Sequence, residues 1–190
     1  MFRTILTFGV MAGLIVIVPM GLMMTFGEFG HASHSMITGY AVMLLAFSLV
    51  FIGVKRHRDR TLGGVIRFLP ALAAGLGISL LASVVYVLGW EITLALTDYA
   101  FMTDYAAAVI EAARARGASA GEMAKITTEM DAMKVMYSNP LMRLPMTFVE
   151  IFPVGLLVSI VSAALLRNSR FLPLKTALPA QRRSGERGAA

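Results

Sequence analysis

Four long apolar stretches constrain the fold of this 190-residue chain more than any other feature. They cover about residues 4–26, 35–54, 65–90 and 144–166. Each supplies the roughly 20 apolar residues that a helix needs to cross a hydrocarbon core of about 30 Å. With 57% hydrophobic residues, 15% charged residues and a mean hydropathy of +0.74, the chain is too apolar for a soluble domain. The sequence therefore predicts an all-α polytopic membrane protein whose residues 1–167 form a four-transmembrane-helix bundle.

The distribution of Lys and Arg predicts how the spans are oriented. With four spans, twelve of the seventeen basic residues fall on the side that holds both chain ends. The other side has five basic and seven acidic residues between Glu91 and Arg143. Because short loops rich in Lys and Arg stay in the cytoplasm, we expect both termini there. Residues 168–190 are predicted to be a basic, disordered cytoplasmic tail beside anionic lipid headgroups.

The segment between spans 3 and 4 is predicted to form an external, periplasmic helical hairpin. Its helices are expected at about residues 91–116 and 119–138, and the first is expected to continue span 3, since no Gly or Pro lies between Trp90 and Arg116. Gly117 fits a left-handed helix end, and Ser119 with Glu122 fits a capping box that opens the second helix.

The second hairpin helix carries an apolar face with the three- and four-residue spacing of an α-helix. This face consists of Met123, Ile126, Met130, Met133 and Tyr137. Packing against the preceding helix is the favoured interpretation, because paired amphipathic helices usually cover each other. The alternative is a surface that binds another protein, a use for which methionine-rich faces are suited.

Glu150 is the sharpest candidate for a functional side chain within a span. A carboxylate inside a bilayer is costly unless it is protonated, paired or in contact with water. Pro153 lacks an N–H, so the carbonyl of Val149 loses its helical donor beside Glu150. Glu150 and Pro153 together suggest a polar site for a proton, a cation or an amine. A structural role, in which Glu150 reaches the interface or bonds to another helix, is equally compatible with the sequence.

Small residues recur at four-residue spacing in three spans and allow helices to approach closely. They are Gly9 and Gly13, then Gly75, Ser79 and Ser83, then Gly155, Ser159 and Ala163. Packing within one bundle is the favoured interpretation, and a homo-oligomer interface is the alternative.

Two further polar groups are weaker candidates. Arg58 and Asp59, before the Gly63-Gly64 turn, are candidate headgroup contacts. Glu28, His31 and His34 have a three-residue spacing, but they match no specific metal motif and a hydrated loop is favoured. No metal and no cofactor is expected, because the chain has no Cys and no phosphate-binding glycine loop. Its basic residues lack the interleaved aromatic residues of a nucleic-acid interface.

Several local strings together resemble the bacterial membrane-protein family known as domain of unknown function 4199. The strings are Phe51-Ile-Gly-Val-Lys55, Arg58-Asp59, Gly63-Gly64 with Phe68, Ala82-Ser83-Val-Val-Tyr86, Gly117-Ala-Ser119, Tyr137-Ser-Asn-Pro140, and Thr147-Phe-Val-Glu150-Ile-Phe-Pro153-Val-Gly155 followed by Ser162-Ala163 and Arg167. The resemblance covers the chain up to Arg167. It implies a four-span inner-membrane protein without an assigned activity, and it places Glu150 and Pro153 in the family's motif without giving them a role.

Three classes of function fit these features. The favoured class is a non-enzymatic accessory or assembly protein that binds itself or another membrane protein through the hairpin or the small-residue faces. The second is a small oligomeric transporter or channel that uses Glu150. The third is a lipid-acting enzyme with Arg58 and Asp59 at headgroup level, which is least favoured because the sequence places no acid and base together.

Overall fold

Six α-helices dominate the parts of the chain that the computed structural model describes, residues 1–26 and 36–173. They are α1 (Phe2–Phe26), α2 (Met36–Thr61), α3 (Phe68–Leu96), α4 (Phe101–Ala115), α5 (Ala120–Ser138) and α6 (Pro140–Leu166). No strand occurs in these two ranges. Helices α1, α2, α3 and α6 are long and apolar enough to cross a membrane, as judged by length and composition. The predicted all-α class and the four apolar helices are therefore confirmed.

The tightest interface of the bundle joins α1 and α3, which run parallel. Gly9 of α1 lies against Leu81, and further along Gly13 lies against Val85. In return, Gly89 of α3 receives the side chain of Ile17. A Cβ added at Gly13 would lie 2.7 Å from the Val85 Cβ, so a larger residue does not fit there.

Helix α6 packs antiparallel to α3 through the small residues predicted to mediate close contact. The Ser79 hydroxyl donates to the carbonyl of Gly155 at 3.0 Å and lies 2.9 Å from the Ser159 hydroxyl. Gly75 in turn lies against Ser159. These small residues serve contacts inside one bundle, as the favoured interpretation required. Helix α2 completes the bundle by packing on α1, α3 and α6.

The long helix expected to continue span 3 outward is interrupted after Leu96. Asp98 and Tyr99 adopt left-handed backbone conformations with φ of 51° and 55°. Asp tolerates this region better than most residues, but two such residues in succession store strain. The turn brings the ring of Phe101 within 5.0 Å of the ring of Trp90, in an edge-to-face arrangement. Tertiary aromatic packing therefore overrides the helix propensity of residues 91–116.

Helices α4 and α5 pack on each other as a hairpin. The predicted turn is present, because Gly117 has φ of 77° and Ser119 forms a capping box with Glu122. The five residues of the predicted apolar face of α5 are all buried or half-buried. Helix α6 begins immediately after the hairpin, where the Asn139 side chain accepts a hydrogen bond from the Leu141 N–H at 3.0 Å.

Candidate functional site at the hairpin end of the bundle

An ion pair joins α3 to α6 at the end of the bundle that carries the hairpin. The Arg143 guanidinium donates through Nε and Nη2 to the two carboxylate oxygens of Glu91, both at 2.7 Å. Its Nη1 donates to the carbonyl of Tyr137 at 2.9 Å, so α5 is held by the same side chain. The Arg143 side chain is 4% exposed and that of Glu91 is 23% exposed. A paired, bidentate geometry is what allows two charges to be buried here.

Aromatic rings surround this ion pair. The Trp90 indole N–H donates to the Tyr137 hydroxyl at 2.6 Å, and Phe101 lies 5.9 Å from the Tyr137 ring. Arg143 also lies over the rings of Tyr99 and Tyr137, at 5.1 and 5.7 Å from their centroids. Burial raises the pKa of the Tyr137 hydroxyl, and this effect outweighs the opposing hydrogen bond from Trp90. We call Trp90, Glu91, Phe101, Tyr137 and Arg143 the junction cluster.

A cleft of about 430 Å³ opens beside the junction cluster. It is lined by Tyr99, Met102, Thr103, Lys134, Tyr137, Ser138, Pro140 and Arg143. Its volume falls in the range of small-ligand sites. Tyr99, one of the two residues with a left-handed backbone, lines it, and strained backbone is often found at binding sites. The cleft can therefore accept a small polar group, a peptide side chain or a lipid headgroup.

Glu150 lies on α6 in the neighbourhood of the junction cluster, although it is not part of it. It lies about two helical turns beyond Arg143 on the same helix. Its side chain is exposed, and it has no hydrogen bond or ion pair within residues 1–26 and 36–173. Pro153 is exposed one turn further along α6. The surface that these two residues share faces away from the packed core.

Arg58 and Asp59, the candidate headgroup contacts, lie at the opposite end of the bundle and bond to each other. The Arg58 side chain is 0% exposed and donates to the Asp59 carboxylate at 2.8 Å. It also donates to the carbonyls of Phe171 and Leu172, at 3.0 and 2.6 Å. Arg58 thereby fastens the segment after α6 to the end of α2. A headgroup contact would require this side chain to leave its backbone partners.

The other predicted sites add little chemistry. The apolar face of α5 lies in the hairpin interior, with Met130 9% exposed. Within the two described ranges, no group of three His, Cys, Asp or Glu residues could hold a metal ion. The predicted loop around Glu28, His31 and His34 lies outside those ranges, as do residues 174–190 of the predicted tail.

The junction cluster was missed by sequence reasoning, although a signal was present. Glu91 ends one span and Arg143 precedes the next, so two opposite charges fall at the same end of antiparallel neighbours. His57 was missed as well. It is 7% exposed, and its Nδ1 has no hydrogen-bond partner in the described part of the chain. Its position within the run Lys55-Arg-His-Arg58 gave no indication of burial.

Comparison with known proteins identifies the family and nothing narrower. Residues 7–168 match the family described as "Protein of unknown function (DUF4199)". The match spans most of the chain, and the protein belongs to this family. No curated protein and no solved structure matches it.

Proposed function

We propose that the chain is an integral protein of the bacterial inner membrane, with both termini in the cytoplasm and the α4–α5 hairpin in the periplasm. The charge distribution along the bundle supports this orientation. The end opposite the hairpin carries eight Lys and Arg side chains and one carboxylate, that of Asp59, within the described ranges. Such an excess of basic residues is typical of the cytoplasmic side.

This orientation is tested by labelling single cysteines in intact cells, since the natural chain has no Cys. A cysteine at Ala132 of α5 is expected to react with a membrane-impermeant maleimide, and one at Arg60 is expected to react only after lysis. The reverse pattern would overturn the orientation. Release of the protein from membranes by alkaline carbonate would overturn membrane integration itself.

We further propose that the protein is a non-enzymatic interaction protein, which presents the hairpin to another membrane protein. The observation that carries this proposal is the buried Glu91–Arg143 pair, which fixes the hairpin to two spans instead of leaving it on flexible linkers. Because the hairpin is held rigidly, it loses less conformational entropy when its surface binds a partner. Gly and Ser residues at the contacts between the long apolar helices let these helices pack closely, which fits a supporting role for the spans.

Site-specific photo-crosslinking in native membranes tests the interaction. Probes at Ala112 of α4 and Ala132 of α5, both exposed, are expected to give a discrete adduct. A probe at Leu14, on the exposed face of α1, is the matched control and should yield lipid adducts alone. The adduct should weaken when Arg143→Gln releases the hairpin, at unchanged protein level. Failure of both hairpin probes to form any protein adduct would count against the proposal.

The environment of Glu150 supports a second candidate function, that of a small oligomeric transporter or channel. An uncovered carboxylate without a partner in the described ranges is costly in a span and is typical of proton or cation pathways. Proton flux into liposomes that contain the purified protein should then fall with Glu150→Gln. Leu157→Gln, on the same exposed side of the helix, controls for a polar change. Flux equal to that of empty liposomes would rule this function out.

A lipid-acting enzyme, the third class, has no supporting observation among the described residues. The hydrogen-bonding capacity of Arg58 is largely taken up by Asp59 and backbone carbonyls. We therefore do not extend the proposal to this class.

A further inference from the structure

The end of the bundle opposite the hairpin carries a set of exposed arginines that have no carboxylate partner among the described residues. We call this set the arginine collar, and it consists of Arg3, Arg56, Arg60, Arg67, Arg167 and Arg170. The carboxylate at this end, that of Asp59, is already bound by Lys55 and Arg58. None of the six forms an ion pair within residues 1–26 and 36–173. Their charge is therefore left uncompensated by the described part of the chain.

Three contacts hold the helix ends that carry the collar close to one another. The guanidinium of Arg56 lies 6.0 Å from the centre of the Phe8 ring, which joins the end of α2 to the start of α1. Arg58 bonds to the backbone that follows α6. The Gly64 N–H donates to the carbonyl of Arg58 at 3.0 Å, which folds the loop before α3 against the same residue. The end of α2, the segment after α6 and the loop before α3 thus meet at Arg58, and the start of α1 is joined to α2 at Arg56.

The chemistry of the collar fits a phosphate. Guanidinium groups bind phosphate oxygens in a bidentate manner and stay charged at all physiological pH values. Six such groups at one end of four apolar helices lie where the headgroups of one leaflet would lie. Within the described residues the carboxylate at this end, that of Asp59, is already paired, and anionic lipid headgroups can supply counter-charge to the collar.

We propose that the arginine collar binds the phosphate groups of anionic phospholipids and selects them from the surrounding zwitterionic lipid. This inference rests on the membrane placement given under the proposed function. It goes beyond that placement, since a basic end that merely determined orientation during insertion would need no lipid preference afterwards. The buried Arg58 does not take part directly, because its donors are used within the protein.

Competition between lipids measured by native mass spectrometry tests the proposal on the purified full-length chain. Equal amounts of phosphatidylglycerol and phosphatidylcholine are added, and the ratio of the two bound lipids is recorded. The collar variant combines Arg60→Gln, Arg67→Gln and Arg167→Gln. The matched control removes three exposed charges from the hairpin by Arg114→Gln, Arg116→Gln and Lys125→Gln.

The natural chain is expected to retain phosphatidylglycerol in preference to phosphatidylcholine, and the preference should fall as salt is raised. Each arginine near an anionic surface contributes on the order of fivefold, so the collar variant should lose on the order of a hundredfold in the ratio. The hairpin variant should keep it. A collar variant with Lys in place of Gln should keep most of it as well, which separates loss of charge from misfolding.

Three results would overturn the proposal. One is equal retention of both lipids by the natural chain, and another is an equal loss in the two triple variants. The third is displacement of bound phosphatidylglycerol by millimolar inorganic phosphate, which would identify a site for free phosphate instead of a lipid headgroup. Carbonate extraction is measured separately for every variant, so that failure of membrane integration is distinguished from failure of lipid selection.

Discussion

Removal of either partner of the Glu91–Arg143 pair should destabilise the protein, and removal of both should cost no more than removal of one. Glu91→Gln leaves the Arg143 cation buried without its carboxylate, at a cost of about 3 kcal/mol. Arg143→Gln strands Glu91, which is 23% exposed and can reach water, at about 2 kcal/mol. It also removes the hydrogen bond to Tyr137 and two cation–π contacts, which add about 2 kcal/mol.

The double variant Glu91→Gln/Arg143→Gln strands neither charge. It should therefore cost only the lost Tyr137 hydrogen bond and cation–π contacts, about 2 kcal/mol, which is less than either single variant and shows strong coupling between the two residues. The exposed pair of Glu111 and Arg114 provides the control cycle. It should couple far less, because solvent screens surface ion pairs.

Unfolding of the full chain by a graded increase in denaturing detergent provides the measurement. The protein has a single tryptophan, Trp90, and this residue belongs to the junction cluster. Its fluorescence therefore reports the junction locally, while circular dichroism reports all six helices. Single-variant effects that add to within about 0.5 kcal/mol in the double variant would refute the reasoning, since the residues would then be independent.

Three further predictions follow from other parts of the structure. Gly155→Ala should lower the stability of the protein by about 1–3 kcal/mol, because the added Cβ would lie 2.7 Å from the Phe47 ring. Gly39→Ala is the control and should not destabilise the protein, because no described atom lies within 4 Å of an added Cβ there. Thermal unfolding in detergent compares the two variants. Arg58→Met should release the segment after α6, so proteolysis between residues 168 and 173 should become faster. Cleavage at the hairpin turn should stay slow and unchanged. Equal cleavage of the variant and the natural chain at residues 168–173 would contradict this. The hydrogen bond from the Ser119 backbone N–H lowers the pKa of the Glu122 carboxyl. The cap therefore stabilises α5 at pH values above the ordinary carboxyl pKa, and this stabilisation is lost as the pH falls through the lowered pKa. Hydrogen exchange at the start of α5 should rise on acidification in the natural chain and respond less in Glu122→Gln.

The helices themselves could be predicted because each depends on local properties of the chain. The apolar stretches, the Gly117 turn and the capping box of Ser119 with Glu122 are all encoded within a few neighbouring residues. The interruption after Leu96 could not be predicted in this way. It depends on contact between Trp90 and Phe101, which no local propensity describes.

The candidate site was harder to predict because it is made by residues distant in the chain. Glu91 and Arg143 are 52 residues apart, and their pairing depends on how α3 and α6 are aligned. Glu150 and Arg58 stood out because charges inside or beside apolar stretches are conspicuous. Their environments differ completely, however: Arg58 is enclosed by protein, while Glu150 is left uncovered. Whether a charged residue at a helix end is buried depends on residues that are distant in the chain and pack against it. The sequence does not show which residues these are.

The parallel contact between α1 and α3 has a consequence for how the protein is made. Helix α1 leaves the ribosome first, yet the side chains that fill the space above Gly9 and Gly13 belong to α3, which is synthesised after α2. In the proposed membrane placement, the nascent chain therefore completes two crossings while the glycine face of α1 has only lipid, α2 or the insertion machinery to cover it. A chain interrupted after α2 would never acquire that cover, and it should be a preferred substrate for the proteases that remove unassembled membrane segments.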